Sequence, residues 1–247
     1  MNFMERAHIR WPDLRCSWLF VSLHVDAAQK GLERAAEDSG VCYTFYLITQ
    51  LALAARTSDW EGALGEHSIR LSHLSSVFDF TSEVQDAIDR YISQNPSGAT
   101  DLSEIAQQSA GEAITSLAGS RTASLFGGSS ADVQKAIRSL STKTGFGALG
   151  QRFFGRFVAR FLNSYLSRVT AATLGSPRLK DLGDVAEFNN ALRTHCDQSA
   201  RIVRDFCGDW YSKTEYQKGI DLENTSKFVA VALKKLRKEL EQQRAGL

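Results

Sequence analysis

Proline is scarce in this chain, and it lacks long apolar runs, paired cysteine motifs and any local signature of catalysis. Only three prolines occur in 247 residues. Because proline costs about 3 kcal/mol in a helix interior, that rarity favours long helices. The longest apolar runs, Trp18 to Val25 and Val41 to Ala55, are broken by Ser22, His24, Thr44, Thr49 and Gln50. Both fall short of the roughly 20 residues that a membrane-spanning helix needs. The first fifteen residues carry Glu5, Arg6, Arg10, Asp13 and Arg15, so no secretory signal is expected. The four cysteines, Cys16, Cys42, Cys196 and Cys207, stand far apart. Such scatter suits free thiols in a reducing compartment, and a cytoplasmic protein is the expectation.

Catalytic and metal-binding spacings are equally thin. The nucleophile elbow, the phosphate loop with its lysine and the zinc-protease histidine pair do not occur. Glu5 and His8 are three residues apart, as a carboxylate metal site requires, but no second such pair completes one. His195 falls on an apolar stripe with Leu192, Ser199 and Ile202, which reads as a core histidine. Cys196 and Cys207 lie about three helical turns apart, too far to chelate one ion. Gly145, Gly147 and Gly150 have the spacing of a dinucleotide loop, which requires a strand before it and an acid about 20 residues later. Here a helix precedes the glycines and no acid occurs before Asp181, so a loop between helices is expected. No cofactor and no metal are expected, and catalysis is the lesser expectation.

What the chain does have is helix punctuation. Asp26 can cap a segment ending near Gly40, and an apolar helix through Tyr46, Leu47 and Leu51 follows. Asp59 opens Trp60, Ala63 and Leu64; Thr81 or Ser82 precedes Val84, Ile88 and Tyr91; Pro96 and Gly98 mark a loop. Asp101 with Glu104, and Asp184 with Glu187, have capping-box spacing. The second box opens a helix through Phe188, Leu192 and Phe206 that Gly208 can close. Gly127 and Gly128 mark a break, and Gly175, Ser176 and Pro177 close a long helix over about 149–174. The cluster from Gly208 to Tyr216 reads as a packed corner ahead of a binding loop. The predicted fold is an all-α multi-helix bundle of about eight helices, with at most one minor strand near residues 18–25. Residues 1–78 form an N-terminal helical region offered as a subdomain, and 79–247 the main helical domain.

Charge is distributed unevenly behind a net of +1. Residues 1–132 hold 17 acids and nine bases, whereas no acid at all occurs between Val133 and Lys180. That stretch carries Lys135, Arg138, Lys143, Arg152, Arg156, Arg160, Arg168, Arg178 and Lys180. At about 100° per residue, Arg152, Arg156 and Arg160 form one stripe continued by Asn163 and Ser167. Phe153, Phe154, Phe157, Phe161 and Tyr165 fall on the opposite arc, and Arg168 intrudes on it. Like charges four residues apart repel, so an anion is expected to face them. Lys143, Arg152, Arg156, Arg160, Asn163 and Ser167 are the candidate anion or nucleic-acid site, because arginine forks and short polar groups suit phosphate. Two other occupants are weighed: an anionic membrane surface, given the phenylalanines, and internal acids, for which Asp79, Glu83 and Asp86 are the candidates.

A different class of function rests on the last helix. Val229, Leu233, Leu236 and Leu240 have coiled-coil spacing, which would let a structural or regulatory subunit dock on a protein partner or on its own copy. The pattern covers fewer than three heptads, so packing on the protein's own core competes with docking.

Overall fold

A computed structural model of the protein describes residues 30–71, 76–96, 98–119, 129–173, 181–217 and 219–245. The fold is an all-α multi-helix bundle with ten helices and no strand among the described residues. Helix α1 covers 30–37. It is followed by α2 Ser39–Ala54, α3 Trp60–Gly65, α4 Val77–Gln94, α5 Asp101–Ala118 and α6 Ser130–Arg138. The second half comprises α7 Lys143–Thr173, α8 Leu182–Ser199, α9 Arg201–Gln217 and α10 Leu222–Ala245. Several expectations fall outside the described residues: the strand at 18–25, the Asp26 cap, the Glu5 and His8 pair, Cys16, the Gly127 break, the 175–177 helix end, and Arg178 with Lys180. The side chain of Arg168 is likewise outside them.

Local chemistry accounts for most helix starts. Asp38, Asp59, Ser76, Thr100, Ser129 and Asp181 each accept a hydrogen bond from a backbone N–H of the first turn they precede, which satisfies donors that a helix leaves unpaired. The reciprocal boxes pair Thr100 with Ser103 and Ser129 with Asp132. The first of these starts one residue before the expected Asp101 with Glu104, and α8 is capped by Asp181 ahead of the expected Asp184. Asp38 caps α2 through one oxygen and accepts from the Thr100 hydroxyl at 2.7 Å through the other, so the starts of α2 and α5 are tied together. The expected loop between α4 and α5 is present, with Gly98 at φ 66°, a left-handed turn that glycine adopts without a Cβ penalty.

Helix α2 is apolar on nearly all sides because it is wrapped: Val41, Phe45, Leu47, Ile48 and Leu51 are buried, with α5 and α10 among the helices packed on it. Helix α7 lies against α5, α8 and α9. Between α2 and α7 sits an aromatic core in which Phe45 touches Phe146, Phe153, Phe154, Trp210 and Phe228, with ring centroids 5.1–6.2 Å apart. One hydrophobic cluster runs from Leu32 to Leu236. Its buried members before residue 78 belong to the same cluster as those after it.

The expected glycine loop is helix. Gly145, Gly147 and Gly150 lie inside α7, where they serve close approach. A Cβ on Gly147 would stand 2.6 Å from the Arg204 carbonyl oxygen, and one on Gly150 would stand 2.4 Å from Cys207 Sγ. From the other side, a Cβ on Gly208 would meet the Lys143 carbonyl at 2.5 Å. Gly208 therefore sits within α9 and does not close α8. The single helix expected through Leu192 and Phe206 is two, α8 and α9, meeting at Ala200. The cluster from Gly208 to Tyr216 belongs to α9, with Tyr211 buried and stacked on Phe146 at 4.2 Å.

Candidate functional site

Helix α7 carries Arg152, Arg156 and Arg160 at successive four-residue steps. The same side of the helix meets α5, which supplies Glu112, and α8, which supplies Asp197 and Arg193. Asp197 Oδ2 lies 3.0 Å from Arg152 Nη1 and 3.5 Å from Arg156 Nη2. Glu112 gathers three guanidinium groups: Arg156 Nε at 2.9 Å and Arg193 Nη2 at 2.5 Å on Oε1, and Arg160 Nη2 at 3.1 Å on Oε2. Arg160 also donates to Gln108 Oε1 at 3.0 Å, and Gln151 donates to the Asp197 backbone carbonyl at 3.1 Å.

Gly155 makes this arrangement fit. A Cβ there would stand 2.6 Å from Asp197 Oδ1, so the bare backbone is what lets the carboxylate settle between Arg152 and Arg156. Arg156 is the innermost cation, with a side chain only 12% exposed. Burial pulls its guanidinium below the ordinary range; Asp197 and Glu112 pull it back, and Arg193 and Arg152 push it down again. The outer pair, Arg160 and Arg193, are 40% and 47% exposed. Four guanidinium groups around two carboxylates leave two positive charges uncompensated within the cluster. No protein-family model, curated protein or solved structure matches the chain.

The three arginines of the predicted site thus share one surface, and that surface is internally paired. The acids are not the expected ones on α4: α7 packs on α5 and α8, so Glu112 and Asp197 take the role given to Asp79, Glu83 and Asp86. Glu83, for its part, accepts from the Arg70 backbone N–H. Lys143 does not join the cluster. It pairs with Asp209 at 2.6 Å, nine residues and about 13 Å of helix before Arg152. Asn163 is half-buried, and the Ser167 hydroxyl turns back to the Ser164 carbonyl at 2.9 Å. Arg193, Glu112 and Asp197 are the members the sequence reading missed. The one local signal for them is Gly155, a gap within the arginine stripe that a neighbouring side chain could enter.

The other candidates are accounted for by burial. Val229, Leu233 and Leu236 are 0%, 2% and 0% exposed, and Leu240 packs half-buried on the same core. The C-terminal seam is therefore covered by α2 and α9, and its coiled-coil spacing records packing within the chain. Phe153, Phe154, Phe157 and Phe161 are buried too, so these four rings are not offered to a lipid surface. Cys42, Cys196 and Cys207 are free and buried. Burial, with Asp197 adding to it, pushes the Cys196 thiol up to about 12, so it is not an activated nucleophile. Burial also holds the His195 imidazole below its ordinary range. No helix is long and apolar enough to cross a membrane and no cluster suits a metal ion, among the described residues.

Proposed function

We propose that the protein is non-catalytic and binds an anionic partner, nucleic acid foremost, through its basic segment 135–180, centred on Arg152, Arg156 and Arg160 and joined by Arg193. The supporting observation is the cation surplus at the α5, α7 and α8 junction, whose outer guanidinium groups face solvent. Arginine forks bind phosphate oxygens in pairs and hold a backbone without reading its sequence. Buried free thiols suit a reducing compartment, and the cytoplasm is the proposed location. A protein partner or second copy on α10, and a lipid surface on α7, have less support, because Val229, Leu233 and Leu236 of α10 and Phe153, Phe154, Phe157 and Phe161 of α7 are covered by the protein's own core.

Fluorescence anisotropy with labelled duplex and single-stranded oligonucleotides tests this. Two uncompensated charges imply that log affinity falls with log salt at a slope of about 2, at about 0.9 per phosphate neutralised on duplex. Replacing Arg160 and Arg193 together with glutamine leaves two cations on two acids. The slope should fall toward zero and affinity by about tenfold or more. These residues are preferable to a glutamate exchange at Arg152, Arg156 and Arg160, which would gather five carboxylates in one place. Undiminished binding by the double variant, or no wild-type binding at low salt, defeats the proposal.

A further inference from the structure

Glu112 stands apart from the other acids among the described residues in what surrounds it. Its two oxygens meet three guanidinium groups arriving from two helices, Arg156 and Arg160 of α7 and Arg193 of α8. A carboxylate held by converging arginines has the charge and oxygen spacing of one edge of a phosphate group, and arginine forks fit either. The second acid of the cluster differs. Asp197 Oδ1 is buried above Gly155, and its backbone carbonyl is held by Gln151. Asp197 thus belongs to the packing of α8 on α7.

Glu112 also has somewhere to go. Its other flank opens on a groove of 410 Å³ between α4 and α5, lined by Thr81, Gln85, Gly111, Glu112 and Thr115. Gly111 lets the Gln85 side chain lie close against α5 at that groove, since a Cβ there would stand 2.8 Å from Gln85 Nε2. A rotation of the Glu112 side chain away from α7 would expose three guanidinium groups at one point. It would cost the ion pairs it leaves, and an incoming phosphate would replace them.

We propose that Arg156, Arg160 and Arg193 form a phosphate site in which Glu112 is the resident occupant, displaced when a nucleic-acid backbone phosphate binds. This rests on the anionic-partner reading and assigns it a single contact point. The resident carboxylate weakens binding by competing for the site, so the protein is held in a self-blocked state that the partner must relieve.

The test compares Glu112→Gln with Asp197→Asn, which change the net charge equally. Each is assayed by anisotropy with the same duplex across a salt series, and by thermal melting in sodium phosphate against sodium chloride at matched ionic strength. Glu112→Gln should bind about tenfold tighter than wild type, with the salt slope steepened by about one. Phosphate should raise its melting temperature more than it raises that of wild type. Asp197→Asn should melt lower and gain less affinity. If the neutral variant does not fold, Glu112→Asp carries the test: it keeps the charge but shortens its reach, and tighter binding than wild type is expected.

Wild type that binds while neither Glu112 variant binds tighter overturns the displacement and leaves the anionic-partner reading standing. An equal gain in Glu112→Gln and Asp197→Asn overturns it as well, since net charge alone would then explain both. If no form binds nucleic acid, or all bind only vesicles of anionic lipid, the underlying reading fails.

Discussion

The two sides of α7 are closed by opposite means. Toward α2 it buries Phe146, Phe153 and Phe154, and toward α9 it presents bare backbone at Gly147 and Gly150. Toward α5 and the C-terminal half of α8 it presents Arg152, Arg156 and Arg160, joined by two carboxylates. The first side is held by contact area and shape. The second is held by charge, at positions where water still reaches part of each group. A side of the first kind is indifferent to salt and offers a ligand nothing. A side of the second kind responds to salt and to competing anions, because its pairs can be exchanged for others.

The sharpest test of that contrast is on the apolar side. Phe154→Ala removes a fully buried ring that contacts Phe45 and Phe153, and should cost about 3–5 kcal/mol by urea unfolding, equally at low and high salt. A loss below about 1 kcal/mol would show that this side is not the one holding the bundle. Next in size is Arg156→Met, which keeps most of the volume but removes the one guanidinium that both Asp197 and Glu112 share. We expect a loss of about 1–2 kcal/mol that shrinks as salt rises. A loss independent of salt would mean that Arg156 acts through packing alone, and the two sides would not differ in kind.

The smallest effect concerns pH. Burial lowers His195 in α8, and His67 as well, below the ordinary 6.5. The unfolded chain then binds protons before the folded one does, so stability should be full above about pH 6.5 and decline as pH falls below it. Melting temperatures followed downward from neutral pH check the sign. His195→Gln should flatten part of the decline, and a melting temperature that rises on acidification would contradict the burial of these rings.

Much of this arrangement was legible in the sequence because it is local. The proline scarcity, the caps and the 3.6-residue spacing of apolar groups together imply an all-α bundle, and the stripe of Arg152, Arg156 and Arg160 opposite the phenylalanines follows from one helix alone. What was not legible depends on which helix meets which. Glu112 lies 40 residues before Arg152 in the chain, and nothing in its neighbourhood marks it as the acid that α7 will find. Arg193 falls outside the acid-free segment for the same reason. The glycines of α7 read as a loop because a helix precedes them and no acid follows before Asp181, and glycine is a poor helix former. In the folded protein the close crossing with α9 outweighs that preference. The C-terminal leucines show the converse: spacing reveals that a face must be covered, but not by what.

The seam between α7 and α9 has a practical corollary. Cys207 lies directly over Gly150, so close that a methyl group could not be placed between them, and it is fully buried. A thiol reagent cannot reach that sulfur until the two helices part. The rate at which Cys207 is labelled is therefore a clock for the opening of this one crossing, set by the molecule itself, and it can be read with or without an anion bound on the far side of α7.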